Sequence, residues 1–202
     1  MLSKYCKGRL DPLLSGIVKL LPDHRLVPTI LTLTGLLFSL VTGIFFAFDR
    51  IRIGGVFIII AGLFDILDGT YARVLGRASS FGAFIDSTSD RYADMLILSG
   101  LGVMFARRSA VGYLVLTLVT MIGFVMVSYT KARAESIISR CDVGIMERPE
   151  RVILLALGAL TLQVATALWL LAGLTHVTVL QRIWYTYQQT KVKGMGFKEE
   201  VV

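Results

Sequence analysis

Four aspartates carry the chemistry that is most legible in this chain. Asp65 and Asp68 stand three residues apart, and Asp86 and Asp90 four apart, within DILDGTYARVLGRASSFGAFIDSTSD, residues 65–90. On helices, either spacing puts both carboxylates of a pair on one face, about 5–6 Å from each other. Two such helices packed side by side gather four anionic oxygen donors with no imidazole or thiolate among them. That donor set suits a hard divalent ion, Mg2+ or Mn2+, and leaves room for a two-ion site. Paired ions of this type serve in-line displacement at phosphorus by stabilising the attacking and leaving oxygens. The small residues nearby fit the same chemistry: Gly69 lies four residues after Asp65 and Gly82 four before Asp86, so a ligand can approach the backbone there closely. Ala72 is similarly small, and Arg73, one turn beyond Gly69, can donate a charge-assisted hydrogen bond to a phosphate oxygen. Taken singly, interfacial acids make surface salt bridges and glycines let helices pack. Only the joint pattern points to a site.

The elements that must position these residues are membrane helices. The chain has 202 residues, 55% of them hydrophobic, and a mean hydropathy of +0.72, which places it among membrane proteins. Five of its 14 acidic residues (Asp65, Asp68, Asp86, Asp90 and Asp94) fall between positions 65 and 94. Carboxylates crowded beside a bilayer are expensive, so a cation is expected to hold them. Residues 1–22 mix leucines with Lys4, Lys7, Arg9 and Lys19 in the manner of an amphipathic helix lying along the membrane surface. Pro22 and Pro28 bracket a turn, and spans are expected at about 26–48, 53–67, 84–105 and 111–129. The second stays apolar for only about 22 Å of helix, so its acids belong at the membrane boundary. The apolar stretch 152–187 is too long for one helix and divides near Gln163 into a fifth and a sixth span. The expected architecture is therefore an all-α integral membrane protein: a juxtamembrane helix over 1–22, a six-helix transmembrane domain over 23–190, and a cytoplasmic tail over 191–202.

Charge sets the orientation. Sixteen Lys and Arg fall on the side that holds both termini and the acidic end of the second span, against Arg50, Arg52, Arg107 and Arg108 on the other. The positive-inside rule then puts both termini and the carboxylates in the cytoplasm, in a multi-pass protein of the inner (cytoplasmic) membrane. The net charge of +7 is scattered between apolar spans rather than gathered on one helix face, which argues against nucleic acid. Cys6 and Cys141 are far apart and have no companion histidines, so neither a disulfide framework nor a zinc site is expected. No small-residue cleavage site follows the basic start, and no signal peptide is read.

DILDGTYAR, eight residues, then GAFIDSTSD reproduces DxxDGxxAR, x8, GxxxDxxxD at every fixed position. This resembles the signature of the CDP-alcohol phosphotransferases. The resemblance implies six transmembrane helices, a homodimer, and a metal site in a cytosol-facing cavity, where a CDP-linked donor loses CMP as its phosphoryl lipid moves to an alcohol. It implies that Asp65, Asp68, Asp86 and Asp90 bind the divalent metals, and that Asp90 also takes the proton of the acceptor hydroxyl. Gly69, Ala72, Arg73 and Gly82 would line the CDP pocket. The chain departs from the proline–asparagine pair common at the first span, having Thr29 after Pro28, and any contact from Thr32 is left open.

The acceptor is read from the basic residues. SYTKARAE follows the fourth span, then ERPER, then Gln181 and Arg182 within an apolar run. Arginine is the better bidentate partner for a phosphate, so a phosphorylated alcohol is expected. The KAR and QR segments resemble those of the prokaryotic phosphatidylinositol-phosphate synthases within the family. By that resemblance Ser128, Lys131, Arg133, Arg148 and Arg182 would hold the phosphate of inositol phosphate, with CDP-diacylglycerol as donor. Glycerol 3-phosphate is the alternative acceptor. Outside the enzymes, intramembrane acids also mark cation transporters. Those acids would spread through the membrane depth, whereas these gather at one boundary. Asp94, one turn beyond Asp90, has Arg91 and Lys131 as candidate salt-bridge partners, or else a place in the cavity.

Overall fold

The computed structural model describes Gly16, Val18, Pro22, His24, residues 26–76 and residues 78–199, with side chains in the last stretch as far as Lys191. Residues 1–22, expected as an amphipathic helix, lie almost wholly outside these. Six helices are described, and no strand among the described residues: α1 (Val27–Ala47), α2 (Ile51–Val74), α3 (Ser80–Arg107), α4 (Val111–Glu135), α5 (Arg148–Leu160) and α6 (Val164–Glu199). α1, α4 and the Val164–Lys191 part of α6 are long and apolar enough to cross a membrane, which marks the chain as a membrane protein. α2 and α3 carry the acids, and α5 is only 13 residues long.

The boundaries follow local chemistry. Pro28 sits in the first turn of α1, where a missing N–H costs nothing. Ser79 caps α3, its hydroxyl accepting from the Gly82 amide at 3.0 Å, so the helix begins at Ser80, a turn earlier than the apolar pattern alone predicts. α4 likewise runs past the last apolar residue to Glu135, and α6 continues to Glu199, into the stretch expected as a tail. The break between α5 and α6 falls at 161–163, beside Gln163, with Leu162 in the left-handed region at φ 59°.

Backbone contacts run α1–α2–α5–α6–α4–α3 and return to α1, so the six helices close into a ring. Glycine makes the α1–α3 side tight: a Cβ on Gly43 would sit 2.5 Å from the Leu96 carbonyl oxygen, and one on Gly100 would collide with the Gly43 backbone. One end of the ring is packed by Phe46, Ile58, Leu101, Met104, Phe124 and Leu168. At that end the Asp49 carboxylate accepts from Arg108 at 2.5 Å, and Arg107 donates to the Ala47 carbonyl at 2.9 Å, tying the α1–α2 turn to the α3–α4 turn. At the other end Tyr71 is fully buried and its hydroxyl donates to the Pro22 carbonyl at 2.7 Å, which anchors the chain entering α1 on the end of α2. Between these ends the ring is open inside, and the acids face that opening.

Candidate active site

α2 and α3 have no Cα atoms within 8 Å of each other, yet their aspartates meet across the ring's interior. Carboxylate oxygens of Asp65, Asp68 and Asp86 all lie within 4.8 Å of one another. Three anionic groups that close repel strongly unless a cation sits among them. Asp68 is buried, and the Thr32 hydroxyl on α1 reaches its Oδ2 at 2.5 Å. A carboxylate oriented by a hydroxyl behind it is a common support for a metal ligand. The donor set is all oxygen, from three converging carboxylates, and so fits Mg2+ or Mn2+.

Asp90 lies beside this group with its charge already engaged. Nη1 of Arg148, at the start of α5, is 2.6 Å from Asp65 Oδ1 and 2.9 Å from Asp90 Oδ1. One guanidinium thus bridges acids from α2 and α3. The arrangement places a cation between carboxylates where the chemistry asks for one.

The four aspartates open on a cavity of about 680 Å³, large enough for a nucleotide-sized ligand. Gly69, Arg73, Ser128, Lys131, Arg148 and Arg182 line it too, so α2, α4, α5 and α6 all contribute to one space. Ala72 and Gly82 are half-buried and stand back from the lining. Arg133 also stands back: it is exposed in the last turn of α4, donating to Ser136 Oγ at 3.3 Å. Lys131 Nζ lies 3.8 Å from Glu147 Oε1, and Arg182 Nη2 lies at the same distance from that oxygen. Arg182 is almost wholly buried, donating from Nε to the Val143 carbonyl at 2.9 Å and from Nη1 to the Val127 carbonyl. It therefore fastens α6 to α4 and to the 136–147 connection while presenting one edge to the cavity.

Asp94 takes neither of the partners expected from sequence. It pairs with Arg151 at 3.4 Å, while Arg91 meets Asp90 at 3.9 Å and Lys131 turns to Glu147. Sequence reading also missed the Thr32–Asp68 contact and the direct hold of Arg148 on two of the acids. The spacing of Asp90 to Asp94 and of Arg148 to Arg151 is one helical turn in both cases, which was a usable signal for pairing them.

The profile of the family described as CDP-alcohol phosphatidyltransferase matches residues 25–186. The archaetidylinositol phosphate synthase of Pyrococcus horikoshii is 36% identical over 200 residues, covering 97% of this chain and 100% of that protein. The crystal structure of Mycobacterium tuberculosis phosphatidylinositol phosphate synthase with CDP-DAG bound superposes with a TM-score of 0.76 at 29% identity, covering 88% of this chain and 92% of that one. The same enzyme in complex with manganese and citrate gives a TM-score of 0.75 at 30% identity, covering 87% and 88%. With a profile match across most of its length and a full-length relative, the chain belongs to the CDP-alcohol phosphatidyltransferase family.

Proposed function

We propose that this protein transfers a phosphatidyl group from CDP-diacylglycerol to inositol phosphate, releasing CMP, in phospholipid biosynthesis. The observation that carries the reading is the convergence of Asp65, Asp68 and Asp86 within 4.8 Å, beside Asp90, on a cavity that also collects Lys131, Arg148 and Arg182. The names of its relatives support the inositol phosphate acceptor and the CDP-linked donor.

In this reading the acceptor hydroxyl oxygen bonds to the phosphorus that carries the lipid, the bond from that phosphorus to the bridging pyrophosphate oxygen breaks, and CMP leaves with the electron pair. Mg2+ or Mn2+, held by Asp65, Asp68, Asp86 and Asp90 as a two-ion site, would supply Lewis-acid stabilisation of the developing charge. Thr32 keeps Asp68 aimed at the group. Gly69 leaves the cytidine diphosphate room against α2 and Arg73 donates to a phosphate oxygen, with Ala72 and Gly82 keeping the nearby helix faces small. Asp90 accepts the hydroxyl proton once Arg148 has moved off it, since a carboxylate held by a guanidinium is a poor base. Arg148 is then available to the acceptor phosphate, together with Ser128, Lys131 and the edge of Arg182. Arg133 would have to swing inward from the exposed side of α4 to join them.

The same reading has residues 23–190 spanning the inner membrane six times, flanked by a surface-lying 1–22 and a cytoplasmic 191–202, with both termini and the cavity facing the cytoplasm. The excess of Lys and Arg on that side supports it. It also assembles as a homodimer through its apolar flanks. The test is product mass spectrometry on purified protein with Mg2+ or Mn2+. CDP-diacylglycerol and its archaeol counterpart are offered with inositol phosphate or glycerol 3-phosphate in separate reactions. Phosphatidylinositol phosphate or its archaetidyl equivalent is expected. Product with glycerol 3-phosphate alone would overturn the acceptor assignment, and no CMP in any reaction would overturn the transferase reading.

A further inference from the structure

Asp94 and Arg151 form a second ion pair at the floor of the cavity, which Arg151 helps to line, and the chemistry described above gives neither of them a part. Their side chains are 9% and 2% exposed. The Arg151 guanidinium has three partners: Asp94 Oδ2 at 3.4 Å, the Phe124 carbonyl at 2.9 Å, and the Phe124 ring with its centroid 4.4 Å away. Such a pair is costly to bury and seldom adds stability over apolar residues of the same volume, so its worth here is to be sought in geometry.

The geometry is specific. α3 and α5 lie across the ring from each other, with no Cα atoms within 8 Å, so backbone packing does not set their register. Two ion pairs cross the gap. Asp90 and Asp94 are one turn apart on α3, and Arg148 and Arg151 are one turn apart on α5, which makes Asp90–Arg148 and Asp94–Arg151 two rungs of one ladder. The upper rung is partly open to the cavity, with Arg148 23% exposed, whereas the lower rung is almost wholly buried and additionally fastened to α4 through Phe124.

We propose that Asp94–Arg151 is a positioning strut that fixes α5 against α3 and α4, so that Arg148 alternates between Asp65/Asp90 and the acceptor phosphate without α5 shifting. The inference rests on the metal-site and acceptor reading above. Arg151 reaches the cavity wall, but its guanidinium is taken up by Asp94 and Phe124, so its role is positioning rather than substrate binding. Arg148 and a divalent ion compete for the same carboxylate oxygens, so the strut reveals itself through Arg148: loosening it weakens the competitor and misplaces the phosphate ligand.

The test is a cycle built on Mn2+ affinity, read by electron paramagnetic resonance on the full-length protein without substrates, together with steady-state kinetics. The double variant Asp94→Asn/Arg151→Gln removes the strut and leaves the local charge sum unchanged, so electrostatic attraction for Mn2+ is not altered directly. We expect it to bind Mn2+ about five-fold or more tightly, and to raise the KM for inositol phosphate by a similar factor with the donor KM within about two-fold. Added to Arg148→Gln, the same double change should move Mn2+ affinity no further, because residues acting as one unit are not additive. An equal effect in both backgrounds would overturn the strut, and so would unchanged Mn2+ affinity, whether the acceptor KM rises through a lost direct contact of Arg151 or only the melting temperature falls. If the double variant does not yield folded protein, Arg151→Lys carries the same cycle: it keeps the charge and loses the fork that joins Asp94 to Phe124. A parent chain that binds no Mn2+ would remove the metal-site reading and this inference with it. A parent that binds Mn2+ and obeys the cycle but releases no CMP would overturn the transferase assignment alone.

Discussion

Replacing Asp68 by asparagine separates the cost of the carboxylate cluster from its use. At 4.8 Å, the outer limit of the spacing among Asp65, Asp68 and Asp86, two unit charges repel by about 3.5 kcal/mol at an effective dielectric constant near 20. Asp68 takes part in two of the three repulsions. Asp65 is largely offset by Arg148 at 2.6 Å, so about 3 kcal/mol, mainly against Asp86, is the part left for Asp68→Asn to relieve. The amide keeps an acceptor for the Thr32 hydroxyl and is cheaper to bury than a charge at a site only 5% exposed. Without metal the variant should therefore melt higher than the parent, by about 2–4 °C per kcal/mol gained. With Mn2+ the order should reverse. The parent gains stability from the bound ion, and the variant, having lost one of its ligands, gains little. Thermal unfolding in detergent, with and without Mn2+, reads both numbers. A variant that melts lower than the parent without metal, yet responds to Mn2+ just as strongly, would refute both the repulsion and the metal assignment.

Asp90→Asn should leave folded protein that still binds the CDP-linked donor and lowers kcat by about 10²–10⁴-fold, measured as CMP release. Full activity in that variant would sink the assigned base. Chelation with EDTA should stop CMP release, and either Mg2+ or Mn2+ should restore it on titration back. Gly43→Ala should reduce the yield of folded protein and cost about 1–3 kcal/mol, because its methyl would meet the Leu96 carbonyl at 2.5 Å where α1 and α3 touch; chromatography and a thermal melt check it.

The reach of the sequence can be judged residue by residue. Helix identity was legible because an apolar run of membrane length leaves few alternatives, and the division near Gln163 followed from length alone. The ends were less so. Ser79 shifts the start of α3 through a single side-chain hydrogen bond, and α4 continues through charged residues that hydropathy would exclude. Arg148 and Arg182 were both expected around the acceptor. Yet Arg148 holds two acids, and Arg182 spends most of its donors on backbone carbonyls. Spacing says which residues share a face; it does not say which faces meet.

The amino-acid sequence by itself determined the acid spacing, the membrane class and the family signature, all of which depend on local periodicity and composition. The tertiary structure alone decided that α2 and α3 face each other across an open ring rather than packing together. It also decided that Thr32 stands behind Asp68, and that Asp94 pairs with Arg151 instead of Arg91 or Lys131. These partners lie 36 and 57 positions apart in the chain. Their meeting depends on the order in which six helices close into a ring, and no local pattern encodes that order.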